Sequence, residues 1–192
     1  REKGGKGEAQ YWLPLLGLYT GGRLEDVAQL YLEDIKQSSD GIWYLDINDS
    51  NGKSIKNRHA IRKTPIHKVL IKLGLLDYVA ELNGRGEVKL FPEVETYRGQ
   101  VAKAWGQWFG RYRKKTLGID PVDVRKDFHS FRHTFKDAAR EAGIEGAIRD
   151  ALQGHQEATV GESYGEGYKT SDKLLKHLKL AIDSIDFKVV GD

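Results

Sequence analysis

Apolar positions recur at helical intervals over most of this chain and alternate in only one stretch. Tyr11, Trp12, Leu15, Leu16, Leu18 and Tyr19 predict a helix over 8–19. Thr20-Gly21-Gly22 breaks it, and Leu24, Val27, Leu30 and Tyr31 predict a second helix over 24–32. Ile42 to Ile47 alternates and is rich in β-formers, which predicts a strand. Asp49-Ser50-Asn51-Gly52 is a turn, and residues 53–56 and 59–66 follow as a hairpin ended by Pro65. Val88 to Phe91 is a short apolar piece before Pro92. Further helices are predicted over 67–82, 98–115, 127–142, 145–152 and 171–185, with Gly143 and Gly154 as stops and Ser171 as a cap. The fold class is therefore α+β: mainly α-helical with a small three-stranded antiparallel sheet. Residues 1–7 read as a linker stub, 8–169 as one domain, and 170–192 as a C-terminal helix and tail.

Composition adds little until it is mapped. The 192 residues hold 31 Lys and Arg against 28 Asp and Glu, a net charge of +3. No apolar run approaches 18 residues, and no basic-then-apolar leader opens the chain. The absence of Cys removes disulfides and thiol catalysis and fits a reducing compartment. With Arg1 first and no Met anywhere, the chain reads as a fragment of something longer.

The charge is segregated. From Ser50 to Leu76 there are seven cations and no acid: Lys53, Lys56, Arg58, Arg62, Lys63, Lys68 and Lys72. From Thr96 to Ile119 there are six and no acid: Arg98, Lys103, Arg111, Arg113, Lys114 and Lys115. Thirteen cations in these 51 residues leave a net −10 for the other 141. Two such windows suit a polyanion-binding surface better than two merely solvated faces. Between the basic residues of the second window runs an aromatic stripe, Trp105, Trp108, Phe109 and Tyr112. Helical spacing favours core packing for it over base stacking.

Candidate chemistry begins at His129-Ser130-Phe131-Arg132-His133. On a helix His129 and Arg132 share a face, while Phe131, Phe135, Ala138 and Ala142 cluster on another. His129 and His133 stand four apart, but Ser130 occupies the position where a zinc protease needs Glu. Gly165-Glu166-Gly167-Tyr168-Lys169-Thr170 is a poor phosphate loop, because Tyr168 separates Gly from Lys. What remains is cations, histidines and tyrosines, a set suited to phosphodiester chemistry without a metal. A pentacoordinate phosphorane carries extra negative charge, which preorganised cationic donors stabilise more than the ground state. A Tyr hydroxyl serves as nucleophile where its proton has an acceptor.

These residues resemble the boxes of the tyrosine recombinase (phage integrase) catalytic domain, over nearly the whole chain and in the family's order. Thr20-Gly21-Gly22-Arg23-Leu24-Glu25-Asp26 resembles the first arginine box, with Asp26 where a supporting Glu is usual. Lys53-Ser54-Ile55-Lys56-Asn57 followed by Arg62-Lys63-Thr64-Pro65 resembles the hairpin that carries a catalytic lysine. Spacing to Pro65 picks Lys56, with Lys53 its rival. His129 to Phe135 resembles the second box, and Leu152-Gln153-Gly154-His155 the Leu-Gly-His box with one residue changed. Tyr164 follows nine residues after His155, the family spacing to the nucleophile, with Tyr168 as a neighbouring alternative.

The resemblance implies a site-specific DNA recombinase that needs no metal and no other cofactor. Its catalytic residues would be Arg23, Lys56, His129, Arg132, His155 and Tyr164, supported by Asp26. DNA contacts are expected from Lys53, Arg58, Arg62, Lys63, Arg111, Arg113, Lys114 and Lys115. His133 is expected to be structural, turned partly toward the core. The implied partners are double-stranded DNA, three further copies in a tetramer on two duplexes, and accessory DNA-bending proteins. The implied setting is the cytoplasm of a prokaryotic cell, at the nucleoid. An N-terminal DNA-clamping domain would precede Arg1. The apolar tail would dock on a neighbouring protomer or on its own domain. A type IB topoisomerase or telomere resolvase shares this chemistry, but length and box spacing favour an integrase. A non-catalytic DNA-binding module and a metal nuclease are readings of other classes. Because phosphate contacts dominate such binding, DNA affinity of the isolated chain should be weak and fall linearly with log salt in a titration, and a flat slope would contradict the assignment.

Overall fold

The computed structural model describes residues 8–55, 60–94, 103–119, 127–154 and 172–187. Helix α1 (Ala9–Thr20) buries Trp12, Leu13, Leu16 and Tyr19 on one side. Its end is set locally. Thr20 Oγ1 donates to the Leu16 carbonyl at 2.6 Å, and Gly21 turns into the left-handed region at φ 63°. Helix α2 (Leu24–Ala28) starts at once from Arg23 and is shorter than its apolar pattern predicts. It stops because Leu30 and Leu32 leave to pair with the 88–90 segment: Leu90 N–H donates to the Leu30 carbonyl and Leu32 N–H to the Val88 carbonyl, each at 2.9 Å.

The sheet has three antiparallel strands in the order β1 (Ile35–Gln37), β2 (Trp43–Ile47) and β3 (Arg62–Pro65). Leu45 lies opposite both Ile35 and Thr64, and Ile47 opposite Arg62. The strand count matches expectation, but one member differs. Residues 53–55 form no strand, and Ile35–Gln37 takes that place. Three residues with only Ile35 buried give no readable alternation.

The predicted 67–82 helix is two helices, α3 (Lys68–Lys72) and α4 (Leu75–Gly84), divided at Gly74 with φ 90°. Helix α5 covers Lys103–Lys115, α6 His129–Glu141, α7 Gly146–Gln153 and α8 Asp172–Ser184. The proposed cap Ser171 lies outside the described residues. On α5, Trp105 and Phe109 are buried and stacked with centroids 5.1 Å apart, and Phe128 meets Trp105 edge-on. The aromatic stripe is thus core on that side, while Trp108 stacks on exposed Tyr112 at its margin.

Two apolar clusters result. The larger joins α1, α2, the sheet, α3, α4 and α5. The smaller joins α6, α7 and α8 through Phe135, Ile148, Leu152, Leu174, Leu178 and Ile182. Phe187 packs against both. Helix α8 docks on its own domain. Lys179 Nζ donates to the Ile66 carbonyl at 2.7 Å, and Asp183 accepts from Lys68 N–H at 2.8 Å. Between them the buried His67 ring accepts Val69 N–H at Nδ1, so Nε2 carries the proton that faces the Ile185 carbonyl at 3.2 Å. No helix among the described residues is long and apolar enough to cross a membrane.

The two clusters meet where α6 crosses α1. A Cβ on Gly17 would fall 2.6 Å from Phe128 Cζ, and one on Gly21 would fall 2.7 Å from Phe135 Cδ1. Gly52 also has positive φ but nothing within 4 Å of a Cβ. Gly52→Ala should therefore cost only the left-handed strain, about 1–2 kcal/mol. Gly21→Ala should cost roughly 2 kcal/mol more from the displaced ring, read as urea midpoints. Equal losses would show that the α1–α6 contact has room to spare.

Candidate active site

Asp26 gathers three elements around one carboxylate. It sits at the third position of α2 and is almost fully buried. Arg23, the N-cap residue, has its backbone N–H 3.4 Å and its guanidinium 3.7 Å from Asp26 Oδ2. From β3, Arg62 places Nη1 and Nη2 each 3.4 Å from the same oxygen. Arg62 also donates Nε–H to the Leu152 carbonyl at 3.0 Å and Nη1–H to the Ala60 carbonyl at 2.7 Å. Leu152 is in the last turn of α7, so strand β3 is tied to that helix end.

Arg132 enters from α6. Its Nη1 donates to the Gly21 carbonyl at 2.6 Å, and the residue is 4% exposed. Its own backbone carbonyl accepts Gln153 Nε2 at 3.0 Å. Burial, then repulsion from Arg23 and Arg62, lower the Arg132 pKa to about 10, with Asp26 and Asp150 opposing. It still carries its charge at neutral pH. Among the described residues, Arg23 Nη1 and Arg132 Nη2 are buried without a hydrogen-bond acceptor, and Gln153 Oε1 without a donor. Buried donors without partners are costly, and an anion would satisfy them. Three guanidinium groups against Asp26 thus make an electropositive site at the end of α1.

His129 opens α6, is exposed, and donates its backbone N–H to Asp127 Oδ1 at 2.9 Å. Partial burial, then His133, Arg132 and Arg23, lower its pKa against the pull of Asp127. A neutral ring at pH 7 is available to accept a proton. His133 is exposed and stands edge-on to His129 at 4.8 Å, contrary to its expected turn toward the core. The helix rotates it past the Phe135 side into solvent.

The expected DNA contacts divide. Lys63, Arg111, Lys114 and Lys115 are exposed. Arg113 is half-buried over the Phe109 ring at 5.5 Å, with no hydrogen-bond partner for Nε and Nη1 among the described residues. Lys53 and the side chain of Arg62 are buried, which corrects their expected place on a duplex-facing surface. Lys53 Nζ donates to both Asp34 oxygens at 2.7 and 2.6 Å, and that carboxylate also accepts Asn48 Nδ2 and Tyr31 N–H. Lys56, Arg58, His155 and Tyr164, with the alternative Tyr168, lie outside the described residues. Among the described residues no three His, Asp or Glu side chains gather as a metal would need.

Sequence reasoning overlooked Gly17, Gln153 and Asp34. Gln153 carried a signal, since it is the changed residue of its box, but nothing in the sequence aims it at Arg132. Asp34 carried only its spacing of three from Tyr31.

No family model matches the chain, and no curated protein sequence matches it. Among solved structures it is similar to the integrase of the Tn1549 transposon in complex with transposon right end DNA, at 18% identity and a TM-score of 0.47. That likeness covers 91% of this chain, which spans 59% of the other. The functional reading therefore rests on the residues of this chain.

Removing one member of a buried ion pair strands the other. Lys53→Met should destabilise the fold by about 3 kcal/mol in urea unfolding, because Asp34 stays buried. A loss below about 1 kcal/mol, the range of exposed pairs, would place Lys53 at the surface after all.

Proposed function

We propose that this chain is the catalytic domain of a site-specific DNA recombinase that cuts and rejoins DNA through a 3′-phosphotyrosyl intermediate. One observation carries the reading: Arg23 and Arg132 are brought to one site with buried N–H groups that find no hydrogen-bond acceptor among the described residues. A scissile phosphate supplies such acceptors. Two forked guanidinium groups suit its non-bridging oxygens better than point charges would.

In the proposed step, the Tyr164 oxygen attacks phosphorus and gives its proton to His129. A phosphotyrosyl bond forms as the bond to the 5′-oxygen breaks. Lys56 protonates that oxygen, and a 5′-hydroxyl leaves. His155 donates to a phosphate oxygen. The added charge of the phosphorane falls on Arg23 and Arg132, whose stabilisation therefore grows along the reaction. The depressed His129 pKa supports its role as acceptor. In the reverse step a 5′-hydroxyl of a second duplex displaces Tyr164, which completes strand exchange. The bond energy is conserved in the covalent link, so no nucleotide is consumed. The exposed cations of α5 and Lys63 would hold the duplex, and four copies would assemble on two duplexes.

Incubation with target DNA should give an SDS-resistant adduct that survives EDTA, and Tyr164→Phe should abolish it. Retention by Tyr164→Phe and loss by Tyr168→Phe would move the nucleophile; no adduct from the wild type would sink the proposal. Arg132→Ala should slow adduct formation by about 10²–10³-fold. The rate should fall as pH drops through the His129 pKa, which lies below that of a free imidazole, and His129→Asn should flatten that limb. A substrate with sulfur at the leaving 5′ position should rescue Lys56→Ala; rescue of Lys53→Ala alone would transfer the acid role.

A further inference from the structure

Arg62 is spent inside the protein. Its Nε–H goes to Leu152, and its two terminal nitrogens go to Asp26 and Ala60. Only 6% of its side chain is exposed. These acceptors take four of its five N–H groups. Yet it lies close enough to Arg132 and Arg23 for each to feel its charge.

The charges around the site explain why a buried cation would be placed there. Asp26 faces Arg23, which it holds at the start of α2, but its negative charge also acts on Arg132. Alone, it would cancel half the attraction that Arg23 and Arg132 offer an anion. With Arg62 paired to it, the three guanidinium groups and one carboxylate leave +2, the charge that Arg23 and Arg132 would carry alone. A phosphodiester carries −1, and the phosphorane gains more. Asp150 is the other acid that acts on Arg132, from α7.

We infer that Arg62 is a positioning residue of this site: it neutralises Asp26, so that the carboxylate can orient Arg23 without repelling the phosphate, and it locks β3 and the end of α7 to that carboxylate. The inference rests on the proposed recombinase reading for its substrate. The anion site it describes is testable without DNA.

The probe is inorganic phosphate, titrated into the chain and followed by ³¹P line width. Arg62→Met should weaken phosphate binding by about tenfold, since an uncompensated carboxylate then sits a few ångströms from the anion. Removing that carboxylate as well, in Asp26→Asn with Arg62→Met, should return affinity to within about threefold of wild type. A merely structural arginine would show no such rescue, because the double variant has lost more contacts than the single. Arg62→Lys should stay near wild type. Unchanged binding by Arg62→Met, or a double variant no better than the single, would overturn the role. Should Arg62→Met fail to fold, Asp26→Asn alone decides: binding at or above wild type supports compensation, and weaker binding refutes it. The same variants in the adduct assay should rank in the same order. A wild type that binds phosphate yet forms no adduct would defeat the recombinase reading and leave the assignment of Arg62 to the phosphate comparison.

Discussion

The close crossing of α6 over the end of α1 is the contact on which the rest depends. Gly17 and Gly21 stand one turn apart and receive Phe128 and Phe135. Only residues without a Cβ let α6 come so near. At that distance Arg132 reaches the Gly21 carbonyl. That carbonyl lies at the negative end of the α1 dipole, where a cation is favoured. The same glycine ends α1, so Arg23 falls at the start of α2, beside Arg132. One left-handed turn thus delivers an acceptor for one arginine and the position of the other.

The buried charges follow a repeated local design. Asp26 and Asp34 each sit three residues after an extended residue and accept that residue's N–H, from Arg23 and Tyr31 respectively. Each then takes a long-range cation. Arg62 meets Asp26, and Lys53 meets Asp34. These two cations flank the stretch that contains Lys56. The chain on either side of it is therefore fixed by a buried ion pair, and on the Lys53 side further by Gln29, which clasps the Ser54 backbone through both its N–H and its carbonyl. Buried pairs of this kind are weak sources of stability but strict about geometry.

Much of this was legible in the sequence, for physical reasons. Helices with a full apolar stripe, such as α1, α6 and α8, declare themselves, and so does a strand like β2. Boundaries set by tertiary contacts do not. Nothing local says that Leu30 and Leu32 will pair with 88–90, or that Gly74 will divide a continuous amphipathic pattern. Arg23 and Arg132 were singled out by motif spacing, and the fold brings them together. Lys53 and Arg62 were misplaced because a basic window looks exposed whatever its partners. Their acids lie 19 and 36 residues away, at positions that composition reads as surface. Lys56, His155 and Tyr164 remain proposals carried by the sequence.

The division of the interior also bears on when the site comes into being. The smaller cluster draws Leu174, Leu178, Ile182 and Ile185 from α8 and the residues beside it, and Phe187 closes it against the larger one. During synthesis α6 and α7 emerge first, with Phe135, Ile148 and Leu152 lacking their cover. The buried members of the larger cluster are all made by Phe128, ahead of α8. The nascent protein therefore acquires most of its hydrophobic interior ahead of the apolar partners for α6 that steady Arg132, and the arrangement of arginines waits for α8 to be made.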